Sequence, residues 1–445
     1  MEETLSPVPR ACGTKQGGEV RARWAWTEPS VWTDRMLTAL ETGVKGDVWF
    51  SLMDKVWSRA NLESAFAKVK ANRGGAGVDR VTVAMFGARL EAELTRLQEQ
   101  LRSGTYVPQP VRRVWIPKGD GKMRPLGIPT VRDRVVQTAL RNVVEPVFER
   151  EFAEHSYGFR PGRSAKDALR RVDSLLKAGY RHVVDADIKA YFDSIPKEPL
   201  MARVRGRVAD GRVLSLLEQY LNQPVMEPLK TWTPETGTPQ GAVISPLLAN
   251  LYLNPLDHLM ARSGVEMVRY ADDFVVLCQT REQAESALET IRGWMEEAGL
   301  TLHPDKTRVV SMDTAGSFEF LGYRFERKKD RDYRFPRAKS QKKLRDAIRP
   351  KTGRNNGHSL DKIIADINPT LRGWFEYFKH SHPSSFRPID QWVRMRLRSI
   401  LRRRHHGKGR GRGSDHQKWP NKSFADHGLF CLMTARAQAA QSPTG

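Results

Sequence analysis

Tyr270-Ala271-Asp272-Asp273, running into the apolar stretch Phe274-Val275-Val276-Leu277, decides the fold of this chain. A second short apolar stretch, Val265 to Val268, precedes it. Apolar, turn, apolar reads as a β-hairpin with the two acids at its tip. Adjacent carboxylates repel, so a pair held together points to a bound cation. Asp-Asp pairs also occur in ordinary turns, and a third acid is what separates the two readings. It lies 85 residues upstream, in His182-Val183-Val184-Asp185-Ala186-Asp187-Ile188-Lys189-Ala190-Tyr191-Phe192-Asp193, another β-like run carrying acids. Two Mg²⁺ ions about 4 Å apart can activate a 3′-hydroxyl and stabilise a leaving pyrophosphate. Such a site needs hard oxygen ligands on adjoining strands, which Asp187, Asp272 and Asp273 supply.

The rest of the chain fits a polyanionic partner. Its 445 residues are enough for two or more domains, and its formal net charge is +23. Between Lys339 and Lys422 stand 22 Lys and Arg against 6 Asp and Glu, so most of the excess is near the end of the chain. Nucleic acid is the natural match. Cys12, Cys278 and Cys431 are too few and too scattered for a disulfide framework or a zinc site, which suits a reducing cytosol. The N-terminus has acids and no apolar core of a signal peptide, and no run is long and apolar enough to span a membrane. The expected location is cytoplasmic. There are no internal repeats.

Periodicity places helices at Ser30 to Trp57, Leu62 to Lys70, Phe86 to Leu101, Val131 to Arg150, Leu200 to Leu221, Pro246 to Ala261 and Arg281 to Ala298. Trp24, Trp26, Trp32, Trp49 and Trp57 read as helical core, with base stacking as the other option. Val111 to Ile116 is strand-like and leads to the turn Pro117-Lys118-Gly119-Asp120-Gly121-Lys122. Strand, helix, strand, strand, with both acidic sites on strands, suggests a split βαβ sheet with helices on one face. Leu360 to Ile367, Thr370 to Phe378 and Asp390 to Arg404 read as three helices separated by Pro369, Pro383 and Pro388. Arg402 to Arg412, with Gly407, Gly409 and Gly411, reads as flexible and ordered mainly by a partner.

The ordered blocks resemble those of bacterial group II intron reverse transcriptases and maturases. They are Pro117-Lys118 with Met123-Arg124-Pro125-Leu126-Gly127-Ile128-Pro129, then Tyr157-Gly158-Phe159-Arg160-Pro161, then Asp187 to Asp193. Thr238-Pro239-Gln240-Gly241, Tyr270 to Asp273, Leu302-His303-Pro304-Asp305-Lys306-Thr307, Phe320-Leu321-Gly322-Tyr323 and Leu371-Arg372-Gly373-Trp374-Phe375 follow. The resemblance covers about residues 60 to 430. It implies an α+β, right-hand polymerase. Its parts would be an N-terminal extension (1–60), fingers (61–180), a palm with a split βαβ antiparallel sheet (181–335), a helical thumb or maturase domain (339–405) and a basic nucleic-acid-binding tail (406–445).

By the same resemblance Asp187, Asp272 and Asp273, with the carbonyl of Ile188, would hold two Mg²⁺ ions. Phe192 would clash with a ribose 2′-hydroxyl and so favour deoxynucleotides. Lys118 and Arg124 would grip the incoming triphosphate, Gln240 and Gly241 would line the nucleotide and template pocket, and Lys306 would protonate pyrophosphate. Arg160 and Arg163 would touch template or phosphate. Arg394, Arg396, Arg398, Arg402, Arg403 and Arg404 would meet a phosphate backbone. The implied activity is RNA-directed DNA synthesis from dNTPs on an RNA template and a DNA primer or target. Binding of a group II intron RNA, to promote its splicing and mobility, goes with it. A splicing factor without polymerase activity and a reverse transcriptase recruited to host defence are the alternatives. Many relatives end in an HNH nuclease with cysteine pairs. Cys431 stands alone here, so DNA cleavage is not expected and the primer would come from elsewhere.

Overall fold

The computed structural model describes residues 17–119, 122–228, 230–238, 241–314, 316–411 and 413–441. The strands among them are β1 (Val111–Gly119), β2 (Lys122–Ile128), β3 (His182–Asp187), β4 (Val225–Glu227), β5 (Lys230–Trp232), β6 (Glu266–Tyr270), β7 (Asp273–Cys278), β8 (Arg308–Ser311), β9 (Ser317–Phe320), β10 (Tyr323–Lys328) and β11 (Arg331–Pro336). The chain divides into two compact units. One comprises Met1–Ala168, Asp187–Asp272 and Glu289–Pro304; the other comprises Leu169–Ala186, Asp273–Leu288 and Asp305–Gly445.

The first unit is built on the helix Val131–Glu149. Its apolar residues face inward almost all round, which marks a central helix and not a surface one. Thr130 starts it by accepting the N–H of Asp133 at 3.1 Å. The helix Arg59–Ala71 lies against it through Asn61, whose amide donates to the Ala139 carbonyl at 3.0 Å. Trp24, Trp32 and Trp49 are buried and Trp26 and Trp57 half-buried, but none of the five lies in a helix; Trp32 Nε1 donates to the Asn142 carbonyl at 2.9 Å. A sheet of order β2-β1-β4-β5 projects the long β1–β2 hairpin. The pairing of β1 with β2 is antiparallel, and that of β1 with β4 is parallel.

Three expected helices are broken. Phe86 to Leu101 becomes Val83–Ala88 and Leu90–Ser103, split at Arg89, whose ψ of 27° is not helical. Leu200 to Leu221 becomes Lys197–Arg205 and Gly211–Leu221. The cause is Asp210, which caps the second piece through the N–H groups of Arg212 and Val213 and also accepts from Leu52 (2.7 Å) and Met53 (2.8 Å). Burial alone would raise its carboxyl pKa; these four donors outweigh burial and hold it below the ordinary value. Ser30 to Trp57 yields Asp34–Thr42, closed by Gly43 at φ +89°, and the single turn Met53–Val56.

In the second unit β7, β3 and β8 lie side by side in that order, and β9, β10 and β11 form an antiparallel meander. Leu360 to Phe378 is one helix running through Pro369, not two. Its inward row of Ile363, Ile364, Ile367, Leu371, Phe375 and Phe378 continues past the proline, and burial outweighs the lost backbone bond. It packs with the helix Arg387–Arg404, which carries Pro388 in its first turn, where no intrahelical N–H is needed. Asp390 accepts the N–H groups of Leu432 and Met433, both at 3.0 Å, and so caps the helix Leu432–Gln441.

Contrary to its flexible reading, the stretch after Arg402 is folded back against the helix Arg387–Arg404. A Cβ on Gly407 would lie 2.6 Å from Arg402 Cγ, and one on Gly411 would lie 2.6 Å from Arg398 Cβ. Gly407 and Gly411 therefore serve close packing, while Gly409 has open space and a φ of +83°. Among the described residues no helix is long and apolar enough to cross a membrane.

Candidate active site

The Asp272–Asp273 turn is set by Arg269, three places ahead of Asp272. Ala271 sits at φ +60°, the left-handed region that costs an alanine about 1 kcal/mol or more. Arg269 holds it there. This guanidinium is fully buried. It makes a forked ion pair with Asp257 (2.8 and 2.5 Å) and donates to Asn250 (3.0 Å) and to the Ala271 carbonyl (2.9 Å). Burial disfavours its charge; the Asp257 carboxylate outweighs burial and keeps its pKa raised, with Asp272 adding to the same effect.

The loop after Phe152 closes the other side of the turn. A Cβ on Gly158 would lie 2.2 Å from the Ala271 nitrogen, so only glycine fits. The Asn250 amide donates to the Gly158 carbonyl at 2.7 Å, and Tyr157 N–H donates to the Arg269 carbonyl at 2.8 Å. One asparagine thus ties the turn, the loop and the helix Ser245–Arg262 together. Sequence reading passed over Arg269, Asp257 and Asn250. The available signal was an arginine inside an apolar strand run, a place where a charge survives only if paired.

Asp187 ends β3. Arg181 N–H donates to the Cys278 carbonyl at 3.0 Å, so the start of β3 lies against the end of β7. Strands joined that way run antiparallel, which brings Asp187 to the level of Asp272. On its other side His303 N–H donates to the Asp187 carbonyl at 2.7 Å and Lys189 N–H donates to the Thr301 carbonyl at 2.8 Å. These bonds flank the bridge of Ile188 with Leu302, so the carbonyl of Ile188 itself points away from that strand.

Ala190, at φ +49°, then turns the chain into the short helix Tyr191–Ser194. The buried Tyr191 hydroxyl donates to the Ala249 carbonyl at 2.5 Å. Its pKa is pushed well above the ordinary value, chiefly by burial and also by the charge of Asp272. In the second unit Asp273 Oδ2 accepts the N–H of Leu321 at 3.4 Å, and Leu321 itself is at φ +48°.

These acids offer only oxygen, the donor set of a hard divalent cation and not of a soft metal. The backbone gathers their strand ends. Among the described residues, however, no three His, Cys, Asp or Glu side chains form a group able to hold a metal ion. Asp185 is engaged elsewhere: it pairs with Arg308 at 3.5 Å, and burial raises its pKa against the pull of that arginine.

Phe192, half-buried, has its ring 5.7 Å from that of Tyr191, edge to face. Its carbonyl accepts Thr238 N–H at 2.7 Å. A Cβ on Gly237 (φ +89°) would lie 2.7 Å from that same carbonyl oxygen, and one on Gly241 (φ +101°) would lie 2.2 Å from the Gly127 carbonyl oxygen. The loop is thereby held against the Phe192 segment at one end and β2 at the other. Gln240, expected between these glycines, lies outside the described residues. Lys118 is on β1, and Arg124 is exposed on β2 opposite Ile116. Lys306 is exposed in the single turn Pro304–Lys306, just after the segment bonded to Asp187.

Of the arginines expected to contact nucleic acid, Arg160 and Arg398 are buried, and several others have partners within the chain. Arg160 is buried and spent inward: it forks onto Glu149 (2.7 and 3.0 Å) and donates to the Ser156 carbonyl (2.7 Å). Burial lowers its pKa against the pull of Glu149. These bonds fold the loop that carries Gly158 back on itself. Arg163 donates to the Glu154 carbonyl and covers the Tyr157 ring at 5.7 Å. Arg398 is buried, bonded to the Trp419 carbonyl (2.9 Å) and Asn421 (2.8 Å). Arg402 pairs with Asp415 at 2.7 Å, and Arg396 bonds Thr352 at 2.6 Å. Arg404 donates to the His358 carbonyl, though it and Arg403 are exposed; Arg394 is half-buried. Helical periodicity alone could not separate these roles, because both faces of the helix carry arginines.

The reverse transcriptase (RNA-dependent DNA polymerase) family profile matches residues 116–325, and the group II intron maturase-specific domain matches residues 341–419. Protein YkfC of Escherichia coli (strain K12) is 35% identical over 70% of this chain and 87% of its own length. The group II intron-encoded protein LtrA of Lactococcus lactis is 40% identical over 40% of this chain, which spans only 30% of that larger protein. A chain of the partial Cas6-RT-Cas1–Cas2 complex shares 24% identity and a TM-score of 0.36 across 56% of this chain and 41% of its own, too loose a likeness to argue from.

Proposed function

The chain belongs to the family of group II intron reverse transcriptases and maturases, and on that premise we propose how its residues divide the work. The family is one of RNA-directed DNA polymerases of right-hand fold that also act in intron splicing. Residues 61–180 serve as fingers, 181–335 as palm and 339–405 as thumb. Asp187, Asp272 and Asp273, with the Ile188 carbonyl, hold two Mg²⁺ ions. When bound, such ions lower the pKa of the primer 3′-hydroxyl and offset the charge of the departing pyrophosphate. Arg124 and Lys118 grip the triphosphate of a dNTP, and Lys306 delivers a proton to pyrophosphate. The exposed Arg403 and Arg404, in a region rich in basic residues, bind the phosphates of intron RNA.

The observation that carries this reading is the Asp272 turn. An alanine in a left-handed conformation, braced by a buried ion pair and by a glycine with no room for a Cβ, is strain maintained around two carboxylates. Phe192 is the element that chooses the sugar. Phe192→Val removes the ring and is expected to cut the preference for dNTP over NTP by about 10- to 100-fold. Single-nucleotide incorporation on an RNA template, with dNTP and NTP measured separately, gives the ratio. An unchanged ratio would assign Phe192 to packing alone.

A further inference from the structure

One face of the β1–β2–β4–β5 sheet carries a layered set of aromatic and cationic side chains that the assignments above leave unused. Side chains alternate along β1, so Arg113, Trp115 and Pro117 share a face. Their partners across β2, Gly127, Pro125 and Met123, lie on the same face. Val111 pairs with Val225, and Val225 with Trp232, which brings β5 onto that face too.

The Arg113 guanidinium lies 4.8 Å from the Trp232 ring centroid and 5.8 Å from that of Trp115. Lys230 Nζ is 5.0 Å from the Trp232 ring, and Glu227 is 3.9 Å from Arg113. Trp115 is 52% exposed and Met123 is 50% exposed. The strip ends in a hollow shared by Gly127, Trp232, Asp193, Gly237 and Thr238. That hollow adjoins the loop bonded to the Phe192 carbonyl.

We propose that this strip is a stacking platform for the unpaired bases of the RNA template before they reach the site. The proposal rests on the polymerase reading above. An indole left half in water forgoes burial, yet it offers a flat π surface that any unpaired base can cover. Arg113 lies between Trp232 and Trp115 as a cationic spacer, and the exposed Lys230 meets the backbone phosphates. A duplex presents no free base faces, so the strip selects single strand. Its run toward Gly237–Thr238 gives the strand a direction, from the Trp115 end to the pocket beside Phe192. The chain's charge of +23 favours an anionic occupant, and the exposed Trp115 indole favours one with unpaired bases.

The test compares two DNA-primed RNA templates that differ only in their 5′ overhang, one nucleotide against eight. Binding of each to the full chain is measured by fluorescence anisotropy without dNTP. Trp115→Ala is expected to weaken the long-overhang complex about tenfold, the effect of one lost base stack, and to leave the short-overhang complex unchanged. Trp115→Phe should recover most of the loss. Equal weakening of both complexes, or of neither, would overturn the platform, as would a parent chain that ignores overhang length. Because no dNTP is present, this outcome is separate from the polymerase reading, which fails if the parent extends neither template.

Discussion

Asp272→Ala is expected to lower deoxynucleotide incorporation on a primed RNA template by at least about 10²–10³-fold, the loss typical when one electrostatic anchor of a transition state is removed. The residue sits where the left-handed Ala271 turns the chain from β6 into β7. Its side chain is not part of the apolar core, so the change should leave folding intact. Primer–template affinity should also stay within about twofold, since phosphate contacts by Lys and Arg dominate binding. The pairing of lost chemistry with retained binding is the informative result. Equal incorporation by parent and variant would mean that the measured activity is not this chain's.

Arg269→Met should unfold the support of the same turn. It leaves Asp257 buried without its partner and removes the donor to the Ala271 carbonyl. Breaking one side of a buried ion pair costs about 3–5 kcal/mol, which lowers the melting temperature by on the order of 10 °C. Arg269→Lys keeps the charge but not the fork that reaches Asp257, Asn250 and Ala271 at once. It should melt closer to the parent while needing more Mg²⁺ for half-maximal incorporation, because the turn is no longer pinned. Thermal melts and a Mg²⁺ titration separate the two effects. A Met variant with parental melting temperature and parental Mg²⁺ dependence would show that the turn holds its shape unaided.

The strand carrying Asp187, the turn carrying Asp272 and Asp273, and the long helix Val131–Glu149 were legible because each is a sustained period or a run bounded by turn residues. Elements split by one capping side chain were not. Asp210 divides an apparently continuous helix by accepting N–H groups from a segment about 160 residues earlier, a partner no local pattern reveals. The opposite error arose at Pro369, where burial on both sides of a proline kept one helix whole. Arginines were the hardest to place. Arg160 and Arg398 carry the charge expected of phosphate contacts, yet both are enclosed by carbonyls and side chains of their own unit. Charge is visible in a sequence; which way a guanidinium turns is decided by what folds around it.

That Asp187, Asp272 and Asp273 serve one pair of cations is the claim on which the polymerase reading rests. Its most direct test is a crystal of the chain with primer–template, a non-hydrolysable dNTP analogue and Mn²⁺, read by anomalous scattering. The predicted map has two peaks about 4 Å apart, between these carboxylates and the triphosphate. Mn²⁺ at the triphosphate with Asp187 turned away from it, or peaks only elsewhere on the chain, would contradict the account.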